Sequence, residues 1–413
     1  MSEAVPLHDL VELRADKVAG AKDPQLPYVG MEHVAQNGGE IFGSAPSASS
    51  VSINSIFASG DILFGKLRPN LRKCVQTTFS GYCSTDLLVF RAKTGADSGF
   101  AARVLQSDAV FSEALRTAEG TKMPRTSWSA LRGLGVFRPP IGEQRRIAEI
   151  LDTVDGEIRM TERLIAKLEM VKQGLLQDVL TRGIDDRGCV RASIGGYHEL
   201  PNRWEWLSLE DLGAPVPYAI VDGPFGSNLK SVHYRSSGIP VIQSGFVTSQ
   251  HWAPSEYVYV DEALFHEQYR SAVQPGDIVM AKIGATCGAC AVVPDNHPVG
   301  ILAGNSLKIT VDETRCLREY LVLVLHRYFE TGELNLIRTE TAQPAISLGR
   351  LRRLPVRLPP LTEQNRIVAV ATAAERRTAD ESAHLLKLQQ LKQGLMDDLL
   401  VGRVRVAVGE DAP

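Results

Sequence analysis

From Ile147 onward the apolar positions step by alternating fours and threes: Ile147, Leu151, Val154 and Ile158, then Thr161, Ile165, Leu168, Lys172, Leu175 and Val179. Steps of this kind lay one seam along a helix with polar residues on its other faces, and they predict a helix that packs against another helix. A proline pair, Pro139 and Pro140, fixes an extended lead into it, and Gly183 follows its end. The same element returns 220 residues later. "PPIGEQRRIAEILD" at Pro139 becomes "PPLTEQNRIVAVAT" at Pro359, and "KQGLLQDVL" becomes "KQGLMDDLL", aligned without a gap. The second copy keeps Ile367, Leu385, Leu388, Leu395 and Leu399 on the seam and weakens in its middle to Ala371, Ala374, Thr378 and Glu381. Two helices of about 40 residues, roughly 60 Å each, are expected to pair with each other as an antiparallel coiled coil.

Between and before these helices the pattern changes to short apolar runs bounded by turns. "SGDILFGKLRP" near Gly60 and "PGDIVMAKIGA" near Gly276 each read as a turn into a short strand that ends at a lysine, Lys66 or Lys282. "YCSTDLLVFRA" and "LAGNSLKITVD" read as a second strand, and "FAARVLQSDAVFSEALRTAEG" and "REYLVLVLHRYFETG" as the helical stretches that follow. Each unit closes through "MPRTSWSALRGLGVFRPP" or "QPAISLGRLRRLPVRLPP", in register at Pro124/Pro344, Ser127/Ser347 and Leu131/Leu351. The predicted fold class is α/β (α+β): two mixed domains, 1–137 and 184–357, separated by helical spacers, 138–183 and 358–403, with a tail 404–413 and a pseudo-twofold internal repeat.

Composition adds exclusions. At 413 residues, 44% apolar and 23% charged, the chain has the balance of a globular protein of two or three domains. Its longest apolar run, Leu321 to Leu325, is far short of a membrane span, and the opening "MSEAVPLHDLVEL" is acidic rather than basic-then-apolar. Six cysteines are too sparse for a disulfide scaffold, so a reducing cytoplasm is expected. The net charge of −3 argues against a protein coated in nucleic-acid-binding surface, yet the basic residues cluster. "GKLRPNLRK", "EGTKMPR" and "GRLRRLPVR" are local patches; taken singly, such a run is ordinarily a solvated face.

Catalytic motifs fail on inspection. "GDILFGKL" has the spacing of a phosphate loop, but Leu67 stands where a hydroxyl must hold magnesium. "CGAC" at Cys287 lacks a second pair at zinc spacing, and "SNLK" at Ser227 lacks the partner motifs of a serine nucleophile. No adenine-methyltransferase signature of the N-P-P-Y or D-P-P-Y kind occurs. The chain reads as a binder, with no catalytic residues and no metal site.

The duplicated "PP(L)-x-EQ-x-RI" opening and "KQGLL-x-D-x-L" helix end, with "LPNRWEWLSLEDLG" and "GPFGSNLKSVHYRSSGIPVIQSG", resemble the specificity subunits of type I restriction-modification systems over nearly the whole chain. In the first half "PYVGMEHVA" corresponds loosely to "IPVIQSGFV" and no W-x-W phrase precedes it, so that domain is expected to be shorter at its N-terminus. The resemblance implies two target-recognition domains, each reading half of a bipartite double-stranded DNA target, and helices that set the spacer. It also implies two modification subunits that carry S-adenosylmethionine, and restriction subunits that carry ATP and Mg. Chemistry adds candidates: cations for phosphates, and Asn, Gln or Arg for base edges. In the first domain these are Lys66, Arg68, Asn70, Arg72, Lys73, Lys122 and Arg125; in the second, Ser227, Asn228, Lys230, Lys282, Arg338 and Gln343. Two other classes remain open at this stage, a DNA-modifying enzyme with its own active site and a coiled-coil adaptor joining two partners without reading DNA.

Overall fold

The computed structural model describes residues 4–20, 23–47, 53–185, 189–190, 200–224, 226, 228–339 and 343–407. The chain divides into two compact units, Met1–Ile165 with Asp380–Pro413, and Ala166–Ala379. Each unit holds one mixed domain and one stretch of each long helix.

In the first unit the strands are β1 (Ala4–Pro6), β2 (Val11–Leu13), β3 (Lys17–Ala19), β4 (Pro27–Val29), β5 (Ala45–Pro46), β6 (Ile53–Phe57), β7 (Ile62–Gly65), β8 (Cys74–Gln76), β9 (Gly81–Ser84), β10 (Leu87–Ala92) and β11 (Gly135–Phe137). The helices are α1 (Ser98–Gln106), α2 (Asp108–Arg116), α3 (Trp128–Leu131) and the long α4 (Ile141–Thr181). The apolar stretch read as one helix is two, because Ser107 leaves the helical path and its hydroxyl accepts from Val110 N to cap α2. The second unit contains β12 (Glu205–Ser208), β13 (Ile220–Asp222), β14 (Ile239–Ile242), β15 (Tyr259–Val260), β16 (Ala272–Val273), β17 (Ile278–Ala281), β18 (Cys290–Val292), β19 (Gly300–Leu302), β20 (Ser306–Ile309) and β21 (Pro355–Leu358), with α5 (Glu262–Glu267), α6 (Arg318–Glu330), α7 (Leu348–Arg352) and the long α8 (Leu361–Leu399).

The two domains share one topology. One four-stranded sheet runs β2-β10-β7-β8 in the first and β13-β20-β17-β18 in the second. A further sheet has the common order β6-β9-β4-β5 and β16-β19-β14-β15, with β3 added on the first domain's edge and a single parallel pair in each, β4 with β9 and β14 with β19. The opening strand is also shared. β1 pairs antiparallel with β11 as β12 pairs with β21, so the first domain has the same opening element without the two tryptophans.

In each unit the core cluster that includes the long helices joins them to the four-stranded sheet and the domain helices, while the further sheet packs on that sheet's other face in a separate cluster. In the first unit Phe64, Phe90, Phe100 and Phe111 pack with Ile147 and Leu151 from the start of α4 and with Met396 and Leu399 from the end of α8. In the second, Ile278, Met280, Tyr320 and Leu325 pack with Val179 from the end of α4 and Ile367 from the start of α8. Start therefore meets end in both units, which makes the helices antiparallel. Ile147, Leu151, Val179, Ile367 and Leu399 are buried, while Val154, Ile158, Ile165, Leu168, Leu175, Leu385, Leu388 and Leu395 are half-buried. The seam positions thus all turn inward, fully so where a domain core covers them.

The glutamate and glutamine of the repeated motif explain its duplication. Gln144 and Gln364 are 1% and 0% exposed. Gln144 donates to Pro139 O at 2.7 Å and accepts from Asp97 N, the cap of α1, at 2.8 Å. Gln364 donates to Pro359 O at 2.8 Å and accepts from Leu317 N, the residue before α6, at 2.7 Å. One carboxamide thereby fastens each long helix to its domain's helix. The glutamate reaches the chain leaving the other long helix: Glu143 takes a two-pronged contact from Arg405 at 2.8 and 2.7 Å and Val406 N at 3.0 Å, and Glu363 takes Ile184 N at 2.9 Å.

A charge also enters the first unit's seam. Asp155, buried, accepts from Arg103 of α1 at 2.5 Å and from Lys392 of α8 at 2.7 Å. Burial would push its carboxyl up, but Arg103 and Lys392 hold it below the usual carboxylate range. Glu143 is likewise held low by Arg405, against its burial.

Two outcomes follow from these contacts. Gln144→Leu or Gln364→Leu should destabilise the protein by about 1–3 kcal/mol, because each leaves a carbonyl and an amide unsatisfied. Urea unfolding measures it, and an unchanged midpoint would contradict the fastening role. For pH the sign is fixed by the lowered values. The stability contributed by Glu143 and Asp155 is fully present above their unfolded pKa values near about 4 and is lost as pH falls through the lower folded values. Unfolding midpoints followed from about pH 6 down to about pH 3 should fall, and Glu143→Gln should make the fall shallower.

Candidate nucleic-acid interface

Each domain presents one loop that follows its central strand, pinned to one strap that precedes its short helix. After β7, Lys66 O accepts from Thr126 N at 3.0 Å and Arg68 N donates to Pro124 O at 2.7 Å. After β17, Lys282 O accepts from Ile346 N at 3.0 Å and Gly284 N donates to Pro344 O at 2.9 Å. These are equivalent bonds from equivalent residues. The turn before each strand is equivalent too: Asp61 accepts from Ala58 N and Asp277 from Gln274 N, both at 2.8 Å. The sequence segments "GKLRPNLRK" and "EGTKMPR" are thus brought together, as are the segments around Lys282 and Gln343.

The predicted residues, of which Asn228 and Lys230 lie after β13 rather than after β17, divide by what their side chains touch. In the first domain Arg68, Asn70 and Lys122 are exposed, Lys66 is half-buried, and none of the three cations among them forms an ion pair among the described residues. Arg72 is different, since its guanidinium lies 4.8 Å over the Phe111 ring, 2.5 Å from Asp108 and 3.3 Å from Gln106 O. Lys73 donates to Met31 O at 2.7 Å, and Arg125 pairs with Asp86 at 3.0 Å. In the second domain Asn228, Lys230 and Gln343 are exposed, and Ser227 lies outside the described residues. Lys282 pairs with Asp222 at 2.7 Å; Arg338 donates to Asn335 Oδ1 at 2.7 Å and to Cys287 O, and lies over Phe329. Arg68, Lys122 and Lys230 thus carry their charge toward solvent, while Arg72, Lys73 and Arg338 are engaged within their own domains.

Sequence reasoning missed Asp222 and Arg270, which join Lys282 in lining a cleft of about 540 Å³ bounded also by Thr339 and Ser347. Nothing in local spacing links Arg270 to Lys282. Asp222 had a neighbouring signal in "GPFG": at Gly223 the backbones come so close that a Cβ would sit 2.0 Å from Ala303 O. The "CGAC" pair is part of the same scaffold. Cys287 Sγ donates to Lys282 O at 2.9 Å, and burial pushes the Cys290 thiol up to about 12. Residues 60–67 likewise do not fit a nucleotide phosphate loop, because Leu67, at the magnesium-binding position, bridges to Arg125 and supplies no hydroxyl.

Two domains of one topology, each with a loop pinned to a strap and each fastened to a long helix, define a duplicated two-domain architecture, and the comparisons place it in a family. The family model for the type I restriction modification DNA specificity domain matches residues 3–170 and 227–390, and the chain belongs to that family. It is similar to the type I restriction enzyme MjaVIII specificity subunit of Methanocaldococcus jannaschii, 22% identical over 291 residues, which are 70% of this chain and 66% of that relative. The match therefore spans just under two thirds of the relative's length. Among solved structures, the HsdS subunit from Thermoanaerobacter tengcongensis has the same fold, with a TM-score of 0.54, 21% identity and 97% of each chain covered. A chain solved to explain complex assembly and conformational transition of the type I R-M system has a TM-score of 0.63 at 21% identity, covering 97% of this chain and 98% of its own.

The division among the cations is measurable. Arg72→Ala should cost about 1–2 kcal/mol of stability through its lost ring and carboxylate contacts. Arg68→Ala and Lys122→Ala should each stay within about 0.5 kcal/mol, yet each should weaken duplex binding equally across sequences. The opposite pattern in denaturation and binding assays would reverse the assignment.

Proposed function

We propose that this chain is the DNA sequence-recognition subunit of a type I restriction-modification complex, with each domain reading one half of a bipartite target. The observation that carries this is the repeat of one loop-and-strap device in two domains of identical topology, each continuous with a long helix. Phosphate contacts from Arg68, Lys122 and Lys230 would supply affinity, and the exposed amides of Asn70, Asn228 and Gln343 suit base edges. The paired helices would fix the spacing and rotation between half-sites and offer two modification subunits similar docking surfaces. The adaptor reading accounts for the helices but leaves the repeated loop-and-strap device without a use.

The chemistry belongs to the partners on this reading. S-adenosylmethionine sits on the modification subunits, ATP and Mg on restriction subunits, and the chain itself is not catalytic and works in the cytoplasm. Isothermal titration of the isolated chain with either nucleotide cofactor should give no binding. ATPase activity abolished by Lys66→Ala would overturn this division of labour.

Modularity gives a second test. Replacing the residues before Pro139 with the equivalent domain of a relative should change one half of the DNA target and leave the other intact. Sequencing of methylated sites reads the outcome; a change in both halves would contradict independent reading.

A further inference from the structure

In the second domain a single buried carboxylate holds two cations. Asp222 ends β13 and is 5% exposed. Its Oδ1 accepts from Arg270 Nη2 at 2.8 Å and its Oδ2 from Lys282 Nζ at 2.7 Å. Asp222 is itself fixed, because its carbonyl accepts from the Ser271 hydroxyl at 3.2 Å, next to Arg270. The three charged side chains open onto the cleft bounded by the strap residues Thr339, Ile346 and Ser347.

Stability accounts for only one of the two cations. Lys282, 16% exposed, already pairs with the buried carboxylate, whereas the Arg270 side chain is 44% exposed, and a partly solvated ion pair contributes little to folding. Nor does the pairing exhaust the donors. A guanidinium has five N–H groups, and Arg270 gives one to Asp222 while the others have no partner among the described residues. The pair is set at the bite of a carboxylate, and the planar fork of arginine accepts carboxylate and phosphate alike. The position is also telling. Asp222 leads directly into the "GPFGSN" loop with Asn228, and the strap with Gln343 forms the cleft's other wall.

We propose that Asp222 is a positioning residue that presents Arg270 and Lys282 as a clamp on one backbone phosphate of duplex DNA. The proposal rests on the DNA-recognition reading and refines it. The first domain has no counterpart: Lys66, the equivalent of Lys282, forms no ion pair among the described residues, and the nearby Asp86 is taken by Arg125. The two domains therefore grip the backbone differently.

The test uses the full-length chain and a mixed-sequence duplex, with binding measured by fluorescence anisotropy over a range of salt concentrations. Neutralising one phosphate contributes about 0.9 to the slope of log K against log salt. The double variant Arg270→Met/Lys282→Met should lower the slope by about that amount, and each single variant should already lose most of it, because the two cations share one phosphate. Arg270→Lys, which keeps the charge, should recover the slope. Asp222→Asn supplies a test of sign. A carboxylate that merely repels DNA would give tighter binding when removed, whereas a positioning carboxylate gives weaker binding although the net charge has become more favourable. Thermal unfolding checks that each variant is folded, and Arg270→Met, at a half-exposed side chain, keeps the test open if Asp222→Asn is not.

A double-variant slope unchanged from the parent, a fall of about 1.8 that marks two independent contacts, or tighter binding by folded Asp222→Asn would each overturn the clamp. Failure of the parent reading looks different: the unsubstituted protein would then show no salt-dependent duplex binding at all.

Discussion

The structure depends on one buried carboxamide used twice. Gln144 and Gln364 each close the turn that starts a long helix, by donating to the proline carbonyl five residues back, and each accepts the backbone amide that begins a domain helix. A buried amide is worth little net when both partners are present and is expensive when either is missing. The bond therefore acts as a specification, admitting one orientation of domain on helix. The neighbouring glutamates extend it, since Glu143 and Glu363 bind the chain that leaves the opposite helix. Loss of either residue type would leave buried polar groups unpaired at a junction where α4, α8 and a domain all meet.

That junction gives meaning to the antiparallel seam. An apolar heptad pattern says that a helix wants a partner but leaves register and direction to other interactions. Here direction is visible in which ends share a core, and register in the first unit is marked by the buried Asp155 between Arg103 and Lys392. A charge in a seam reduces the affinity for any slipped alignment, because a slip would leave that carboxylate buried without its cations.

The basic loops follow a similar economy. A chain with net charge −3 has no broad cationic face to spare. It keeps some cations neutralised in place, such as Arg72 on Asp108 and Arg125 on Asp86, and leaves others, such as Arg68 and Lys122, toward solvent. Neutralised cations shape the loops; the remaining ones carry their charge to solvent.

The sequence by itself determined the repeat, the helix seam and the strands ending at Lys66 and Lys282. All of these rest on local periodicity and turn chemistry, which the order of residues records directly. Residue type and loop position also singled out segments as candidate DNA contacts. Only tertiary structure decided which of those cations are available. Arg68 and Arg72 are four positions apart in one basic run, yet one is exposed and the other is held by Phe111 and Asp108 from α2. Arg270 and Asp222 are 48 positions apart and became partners only when the end of β13, paired to β20, was set against the turn before β16. Ion pairs and cation–ring contacts act over a few ångströms of space whatever the separation along the chain, so no periodicity in the sequence encodes them.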